Sequence, residues 1–121
     1  MERRKHPRVE TCNLISYISE RENGRIVDQN MGKALNVSQT GIFLETNRII
    51  ASENISIMTV DPDNNLIEVK GKVVYSKDNG SGKFGNGVTF RDDPEQSIKF
   101  VSSLIRVFHR RKNRYDAAVG M

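Results

Sequence analysis

The dipeptide Asn23-Gly24 lies between two runs of β-forming residues and strongly limits the folds open to this chain. The run before it, Glu10 to Ser19, reads ETCNLISYIS, and the run after it extends from about Arg25 to Leu35. Asn-Gly favours a type I′ turn, because both central residues of that turn need a positive φ. The pattern therefore predicts an antiparallel hairpin, which places the start of its first strand beside the end of its second.

This hairpin is expected to bring together two polar segments that are distant in sequence. The basic run Glu2-Arg3-Arg4-Lys5-His6-Pro7-Arg8 precedes the first strand, and Asn36-Val37-Ser38-Gln39-Thr40-Gly41 follows the second. Pro7 removes a backbone donor and disfavours helix geometry at His6, which predicts an extended arm over residues 1–9. Arginines in such an arm suit bidentate contact with phosphate oxygens or with the O6 and N7 edge of guanine.

The second polar segment has the chemistry of a tight turn. Asn36 and Ser38 can bond nearby backbone groups, and Gly41 can supply a positive φ. The apolar run Ile42-Phe43-Leu44 follows at once and predicts the next strand.

Four more strands are predicted after this turn, at Gly41–Thr46, Asn54–Val60, Leu66–Ser76 and Phe84–Arg91. Turn-forming residues separate the last three, at 61–65 and 77–83. The clearest strand is Leu66–Ser76, which alternates between an apolar face (Ile67, Val69, Val73, Tyr75) and a charged face (Glu68, Lys70, Lys72). Gly71 suggests a bulge or a bend within it, and Gly85 and Gly87 suggest a place where two backbones approach closely.

A C-terminal helix is predicted from Asp93 to about Arg111. Asp93 is its N-cap, Pro94 occupies the first turn, and Gln96 is expected to reach back as in a capping box. Apolar residues then recur at helical spacing, at Ile98, Val101, Leu104, Ile105 and Phe108. This face is expected to pack on the core and to cover one end of a barrel formed by the strands. The alternative is a helix that binds a partner.

Composition limits the remaining function classes. The 121 residues suit one domain, and the formal net charge of +4, concentrated near the two ends, favours an anionic partner. Cys12 is the only cysteine and is expected to be a small buried hydrophobe; with two histidines it offers no metal cluster. No apolar run has the length of a membrane helix or a signal core, which predicts a cytoplasmic protein. No catalytic constellation is apparent, so an enzyme is not expected.

The two polar segments together resemble the paired signature of the PilZ domain family, RxxxR followed by [D/N]xSxxG. Arg4 and Arg8 match the arginines, while Asn36, Ser38 and Gly41 match the second motif. The resemblance implies a mainly β protein, a six-stranded antiparallel barrel of the split-barrel type with a C-terminal α-helix, in agreement with the elements above. It implies one domain over residues 1–121, with an arm (1–9), a barrel (10–91), a helix (93–111) and a tail (112–121).

The resemblance also implies a ligand, cyclic di-GMP, and no other cofactor. Arg4 and Arg8 would contact its phosphates and the Hoogsteen edge of guanine, with Arg3 as an additional contact if an intercalated ligand dimer binds. Asn36 would accept a hydrogen bond from a guanine N–H and Ser38 would bond the base or a phosphate, while Gly41 would shape the turn. Ordering of the arm would then signal to a downstream protein partner.

Two alternatives remain open at this point. A small basic barrel could bind RNA or single-stranded DNA, although aromatic residues are only 7% of the chain and tryptophan is absent. A PilZ-like module could also act through protein contacts without any nucleotide. Steep salt dependence with poor nucleotide selectivity would favour the first alternative, and no nucleotide binding at all would favour the second.

Overall fold

The computed structural model describes residues 8–119, with side chains as far as Lys112. It contains six strands and one helix: β1 (Val9–Glu20), β2 (Ile26–Val37), β3 (Gly41–Thr46), β4 (Asn54–Val60), β5 (Leu66–Gly80), β6 (Lys83–Phe90) and α1 (Pro94–Val119). The strands pair antiparallel and close into a barrel in the order β1-β2-β3-β6-β5-β4. The predicted fold class is confirmed. Most of the predicted arm, residues 1–7, lies outside the described residues.

The first hairpin pairs as predicted. Val9 lies opposite Val37 and Glu10 lies opposite Asn36, so the residue that precedes β1, Arg8, lies close to the turn that follows β2. The convergence of the two polar segments at this end of the hairpin is therefore confirmed for the described residues.

The turn of this hairpin differs from the type I′ prediction. Gly24 has a φ of 81°, but Asn23 does not have a positive φ. The Gly24 amide donates to the Arg21 carbonyl at 2.8 Å, and the Asn23 side chain accepts from the Arg25 amide at 3.0 Å. These bonds favour a three-residue loop, in which a type I turn is followed by one left-handed glycine.

The two-residue turn with positive φ at both positions occurs instead between β5 and β6. Ser81 has a φ of 55° and Gly82 a φ of 75°, and the flanking residues Gly80 and Lys83 pair across the hairpin. The strand β5 consequently extends to Gly80, where the sequence predicted a flexible turn from residue 77.

The inward face of β5 is confirmed at Ile67 and Val69, but the prediction for Tyr75 is wrong. The Tyr75 side chain is 45% exposed, on the outside of the barrel. The reason is a register shift between Val73 and Tyr75 in the pairing with β6, because one extra residue reverses the faces that follow it.

Gly71 is not the site of this bulge, so that part of the prediction is also wrong. Its pairing with β4 and β6 is regular, and it lies inside the barrel. A Cβ on Gly71 would lie 2.5 Å from Cγ1 of Val88, so the glycine makes room for a neighbouring core side chain.

The helix begins as predicted, with the Asp93 carboxylate accepting from the Gln96 amide at 3.0 Å. The Gln96 side chain does not complete a capping box: it donates to the Glu68 carbonyl of β5 at 2.7 Å and so fixes the helix to the barrel. The helix continues to Val119, beyond the predicted end near Arg111, because the sequence holds neither glycine nor proline between Pro94 and Gly120.

The helix covers the barrel, as expected, and the predicted residues Val101, Leu104 and Ile105 face the core. Phe100, Val101 and Leu104 are buried, and the Phe100 ring packs edge-on against Phe90 with centroids 6.4 Å apart. Ile98, which was predicted to face the core, is 43% exposed. The sequence periodicity located the helix correctly but missed Phe100, which is its fully buried aromatic side chain.

The middle of the helix, from Leu104 to Arg111, is fixed to the start of β1. The buried Asn13 side chain donates to the Leu104 carbonyl at 2.7 Å. The Arg111 guanidinium donates to the Asn13 side-chain oxygen at 2.8 Å and to the Cys12 carbonyl at 2.6 Å. Cys12 itself is exposed, so the prediction of a buried cysteine is wrong: β1 alternates, and Cys12 lies between the buried Thr11 and Asn13.

We expect Phe100→Ala to lower the free energy of unfolding by about 3–5 kcal/mol, because it leaves a cavity between helix and barrel. Ile98→Ala is the matched control in the same helix and should change that free energy by no more than about 0.5 kcal/mol. Urea unfolding followed by circular dichroism measures both values. Equal losses for the two variants would contradict the helix orientation described above.

Candidate ligand-binding site

A groove crosses the outside of the barrel where β1 begins and β2 ends. We call it the motif groove; its walls include Arg8, Asn36, Ser38, Thr40, Phe43 and Tyr75. Four of the residues singled out in the sequence, Arg8, Asn36, Ser38 and Gly41, line it together. The other two, Arg3 and Arg4, lie outside the described residues.

The turn between β2 and β3 forms one wall of the motif groove. The Ser38 amide donates to the Gly41 carbonyl at 2.9 Å, which closes the turn. The Ser38 hydroxyl accepts from the Thr40 amide at 3.3 Å and lies 3.3 Å from the Thr40 hydroxyl. Asn36 lies within β2, with its backbone paired between Glu10 and Phe43. Backbone pairing and these local bonds fix the positions of both polar residues.

Gly41 is required for a different reason from the one predicted. It does not have a positive φ. A Cβ at this position would instead lie 2.4 Å from the Val88 carbonyl oxygen of β6. The neighbouring Thr40 carbonyl accepts from the Phe90 amide of β6 at 2.9 Å. The glycine therefore allows the turn to pack directly against β6.

Aromatic side chains form the opposite wall. Asn36 lies opposite Phe43, Phe43 opposite Gly87, and Gly87 opposite Tyr75, so these residues form one row across four adjacent strands. A Cβ on Gly87 would lie within 2.1–2.7 Å of three atoms of the Tyr75 ring, which therefore covers this glycine.

Gly85 has a similar environment. A Cβ there would lie 2.5 Å from Cζ of Phe43 and 2.8 Å from the side-chain nitrogen of Asn79. The predicted close approach at Gly85 and Gly87 is therefore confirmed. The groups that approach these glycines are side chains, whereas backbones were expected. Sequence reasoning missed Phe43 and Tyr75 as groove residues; the alternation Gly-Asn-Gly in β6 was the available signal, since it leaves one strand face without side chains.

Positive charge flanks the motif groove. Arg8 is exposed at its β1 edge, and the Lys77 ammonium lies 5.9 Å from the Phe43 ring centroid, in a cation–π arrangement. With hydroxyl and amide groups at one wall and aromatic faces at the other, the groove has the groups needed to bind an anionic aromatic ligand.

A wider cavity lies elsewhere on the barrel, across β1, β4 and β5. Its lining includes Glu20 and Glu53 as well as Lys70, Lys72 and Arg91, and none of the motif residues. Because the charges there have both signs, it is less suited to a dianionic ligand than the motif groove.

Within residues 8–112, no group of three or more histidine, cysteine, aspartate or glutamate side chains is placed to hold a metal ion. In the same part of the chain, no helix has both the length and the apolar character that crossing a membrane requires. The expectations of a non-enzyme and of a cytoplasmic location stay predictions.

The sequence matches the PilZ domain family over residues 2–107. The chain therefore belongs to the PilZ domain family, and the resemblance noted in its motifs is confirmed. No curated protein matches the sequence.

Solved structures of PilZ proteins resemble this fold. The PilZ domain of YcgR from Escherichia coli, solved with c-di-GMP, has a TM-score of 0.60 and 10% sequence identity, and the match covers 98% of each chain. The MrkH–c-di-GMP complex from K. pneumonia has a TM-score of 0.62 and 16% identity, covering 92% of this chain and 56% of MrkH. MotI, an inhibitor of motility from Bacillus subtilis, has a TM-score of 0.59 and 18% identity, covering 93% and 53%. At these identities the likeness concerns the fold, and this chain spans about half the length of MrkH and MotI.

We expect Gly41→Ala to destabilise the protein by about 1–3 kcal/mol, because the added methyl group meets the Val88 carbonyl. Gln39→Ala, an exposed position in the same turn, is the control and should be nearly neutral. Both free energies come from urea unfolding in the absence of ligand. If Gly41→Ala is as stable as the control, the turn does not pack against β6 as described.

Proposed function

We propose that this protein binds cyclic di-GMP in the motif groove and acts as a receptor for it. The observation that carries the proposal is that Arg8, Asn36, Ser38 and Gly41 line one groove of a PilZ barrel. Two structures of similar fold, those of YcgR and MrkH, were solved with c-di-GMP. The proposal is therefore supported by the grouping of these residues in one groove and by membership of the PilZ family.

The chemistry of the ligand suits the groups around the motif groove. Cyclic di-GMP has two phosphodiesters, each with one negative charge, and two guanines with N–H donors and the O6 and N7 acceptors. Arg8 offers a planar guanidinium that suits either a phosphate or the Hoogsteen edge of guanine. The Asn36 amide can accept from a guanine N–H, and the Ser38 hydroxyl can donate to a base or a phosphate.

The remaining basic residues of the arm complete the proposed site. Arg4 precedes Arg8 by four residues, so an extended chain allows at most about 14 Å between their Cα atoms. Arg4 and Arg3 are therefore within reach of the motif groove. Without ligand the arm carries closely spaced like charges; the ligand's phosphates compensate these charges, and we infer that the arm becomes ordered over the groove on binding.

The start of β1 connects this event to the helix. Arg111 and Leu104 of α1 bond to Cys12 and Asn13, which follow Arg8 closely in β1. A ligand that orders the arm thus acts next to the contacts that fix the middle of the helix. We infer that the signal reaches a protein partner through the surface formed by the arm and this part of α1.

We expect Arg4→Ala and Arg8→Ala each to weaken cyclic di-GMP binding by about 2–4 kcal/mol, because each removes a charge-assisted contact. Isothermal titration calorimetry of the wild-type protein and both variants measures the effect, with GTP and cyclic di-AMP as competitor controls. Urea unfolding should show unchanged stability, since Arg8 is exposed and a charged arm residue such as Arg4 is not expected to contribute to the core.

Arg25→Ala is the matched control: it removes the same charge from an exposed arginine at the opposite end of the first hairpin. Its affinity should remain within about twofold of wild type, which corresponds to at most a few tenths of a kcal/mol. A loss under tenfold for both arm variants would contradict the assignment. A flat titration of the folded wild-type protein would favour a protein-interaction module, and steep salt dependence without nucleotide selectivity would favour nucleic-acid binding.

A further inference from the structure

Glu10 lies at the β1 edge of the motif groove, beside residues that line it. It is the cross-strand partner of Asn36 and follows Arg8 by two positions. Directly opposed residues of an antiparallel pair share one face of the sheet, with Cβ atoms about 4.5–5.5 Å apart. Glu10 is exposed and Asn36 lines the groove, so the Glu10 carboxylate lies on the outer face of the barrel beside the Asn36 amide.

Strand pairing makes Glu10 the fifth member of the row that crosses the motif groove. The row runs from Asn36 across β2, β3, β6 and β5 to Tyr75, and Glu10 adds β1 to it. Adjacent strands are about 4.8 Å apart, so the carboxylate lies one strand spacing outward from Asn36. A ligand that contacts Asn36 is consequently within reach of Glu10.

The charges around Glu10 suit a carboxylate that meets an anionic ligand. Arg8 precedes it at the groove edge, and the Arg111 guanidinium donates to the carbonyl of Cys12, the second residue after Glu10, at 2.6 Å. Among the described residues that line the groove, none carries a carboxylate. The two arginines offset the repulsion that an acidic side chain would otherwise exert on the phosphates.

A carboxylate supplies what the groove wall lacks for recognition of guanine. The Watson–Crick edge of guanine presents two adjacent donors, N1–H and the N2 amino group. Asn36 has one acceptor oxygen, and the Ser38 hydroxyl already accepts from the Thr40 amide at 3.3 Å. The two oxygens of an ionised carboxylate can accept both donors at once, in charge-assisted bonds.

We propose that Glu10 is a specificity-determining residue: its carboxylate accepts hydrogen bonds from N1–H and the N2 amino group of one guanine of the bound cyclic dinucleotide. This inference rests on the proposed function and names the group that distinguishes guanine from adenine. Adenine has an acceptor at N1, so it would leave the carboxylate without a donor and facing a lone pair. The second hydrogen of the N2 amino group is available to the Asn36 side-chain oxygen beside Glu10.

The test is calorimetric titration of wild type, Glu10→Ala and Glu10→Gln with cyclic di-GMP. Glu10→Gln is nearly isosteric, but it loses the charge and places an amide donor against a guanine donor. Both variants should bind cyclic di-GMP about 10- to 100-fold more weakly than wild type, as expected for loss of charge-assisted bonds.

A second ligand reports on the base edge itself. Cyclic di-IMP keeps N1–H but lacks the N2 amino group. The preference of wild type for cyclic di-GMP over cyclic di-IMP should fall by about threefold or more in Glu10→Ala, because the variant no longer contacts the amino group.

Glu22→Ala is the matched control. It removes the same charge from an exposed glutamate in the loop at the other end of β1. Its affinity and its preference between the two ligands should remain within about twofold of wild type. Urea unfolding should show similar stability for all variants, because both glutamates are exposed.

The outcomes separate the specificity role from the receptor function. Weaker cyclic di-GMP binding in both Glu10 variants, with a reduced preference over cyclic di-IMP, supports the role. If both variants bind cyclic di-GMP as tightly as wild type or more tightly, the carboxylate does not contact guanine, and the receptor function stands. Weaker binding with an unchanged preference also overturns the role, since Glu10 would then act by placing Arg8. If wild-type protein does not bind cyclic di-GMP, the receptor function fails and the specificity role fails with it.

Discussion

The pairing of β3 with β6 is the constraint on which the candidate site depends. It joins the β2–β3 hairpin, which carries Asn36 and Ser38, to the β5–β6 hairpin, which carries Tyr75 and Gly87 and is distant in sequence. The two β-strands approach closely because glycine lies at the contact: the Val88 carbonyl occupies the space that a side chain at residue 41 would need. Without this pairing the two walls of the motif groove would not face each other.

Glycines on the outer face of β6 permit a similar close approach in the motif groove. Gly85 and Gly87 leave room for the rings of Phe43 and Tyr75 to lie against the sheet. Main-chain packing thereby produces an aromatic wall beside the polar turn at Ser38. Arg8 lies at the third side, directly before β1. The proposed receptor function thus depends on three features at one place: a polar turn, an aromatic wall and the positive charge of Arg8.

Much of this architecture follows from sequence patterns. The parts that sequence patterns do not predict still have identifiable physical causes. Hairpin pairing was predictable because strand propensity and turn residues agree around Asn23-Gly24, and this pairing alone brings Arg8 to Asn36. The outward position of Tyr75 was not predictable, since it depends on a bulge specified by the pairing of β5 with β6. Ile98 was misassigned and Phe100 was missed, because helical periodicity predicts an apolar face but not the angle at which that face packs on the barrel. The motif identified Gly41 correctly. The reason that this position requires glycine, its close approach to Val88, is a tertiary contact.

The central claim is that ligand binds in the motif groove and orders the arm over it. The most direct measurement is an NMR titration of ¹⁵N-labelled protein with cyclic di-GMP, recording amide shifts and heteronuclear NOE values. The account predicts shift changes concentrated at Arg8, residues 36–41, Tyr75 and Gly87, together with higher NOE values for the arm in the bound state. Shift changes confined to the cavity near Glu20 and Lys70, or an arm whose NOE values do not change at saturation, would contradict it.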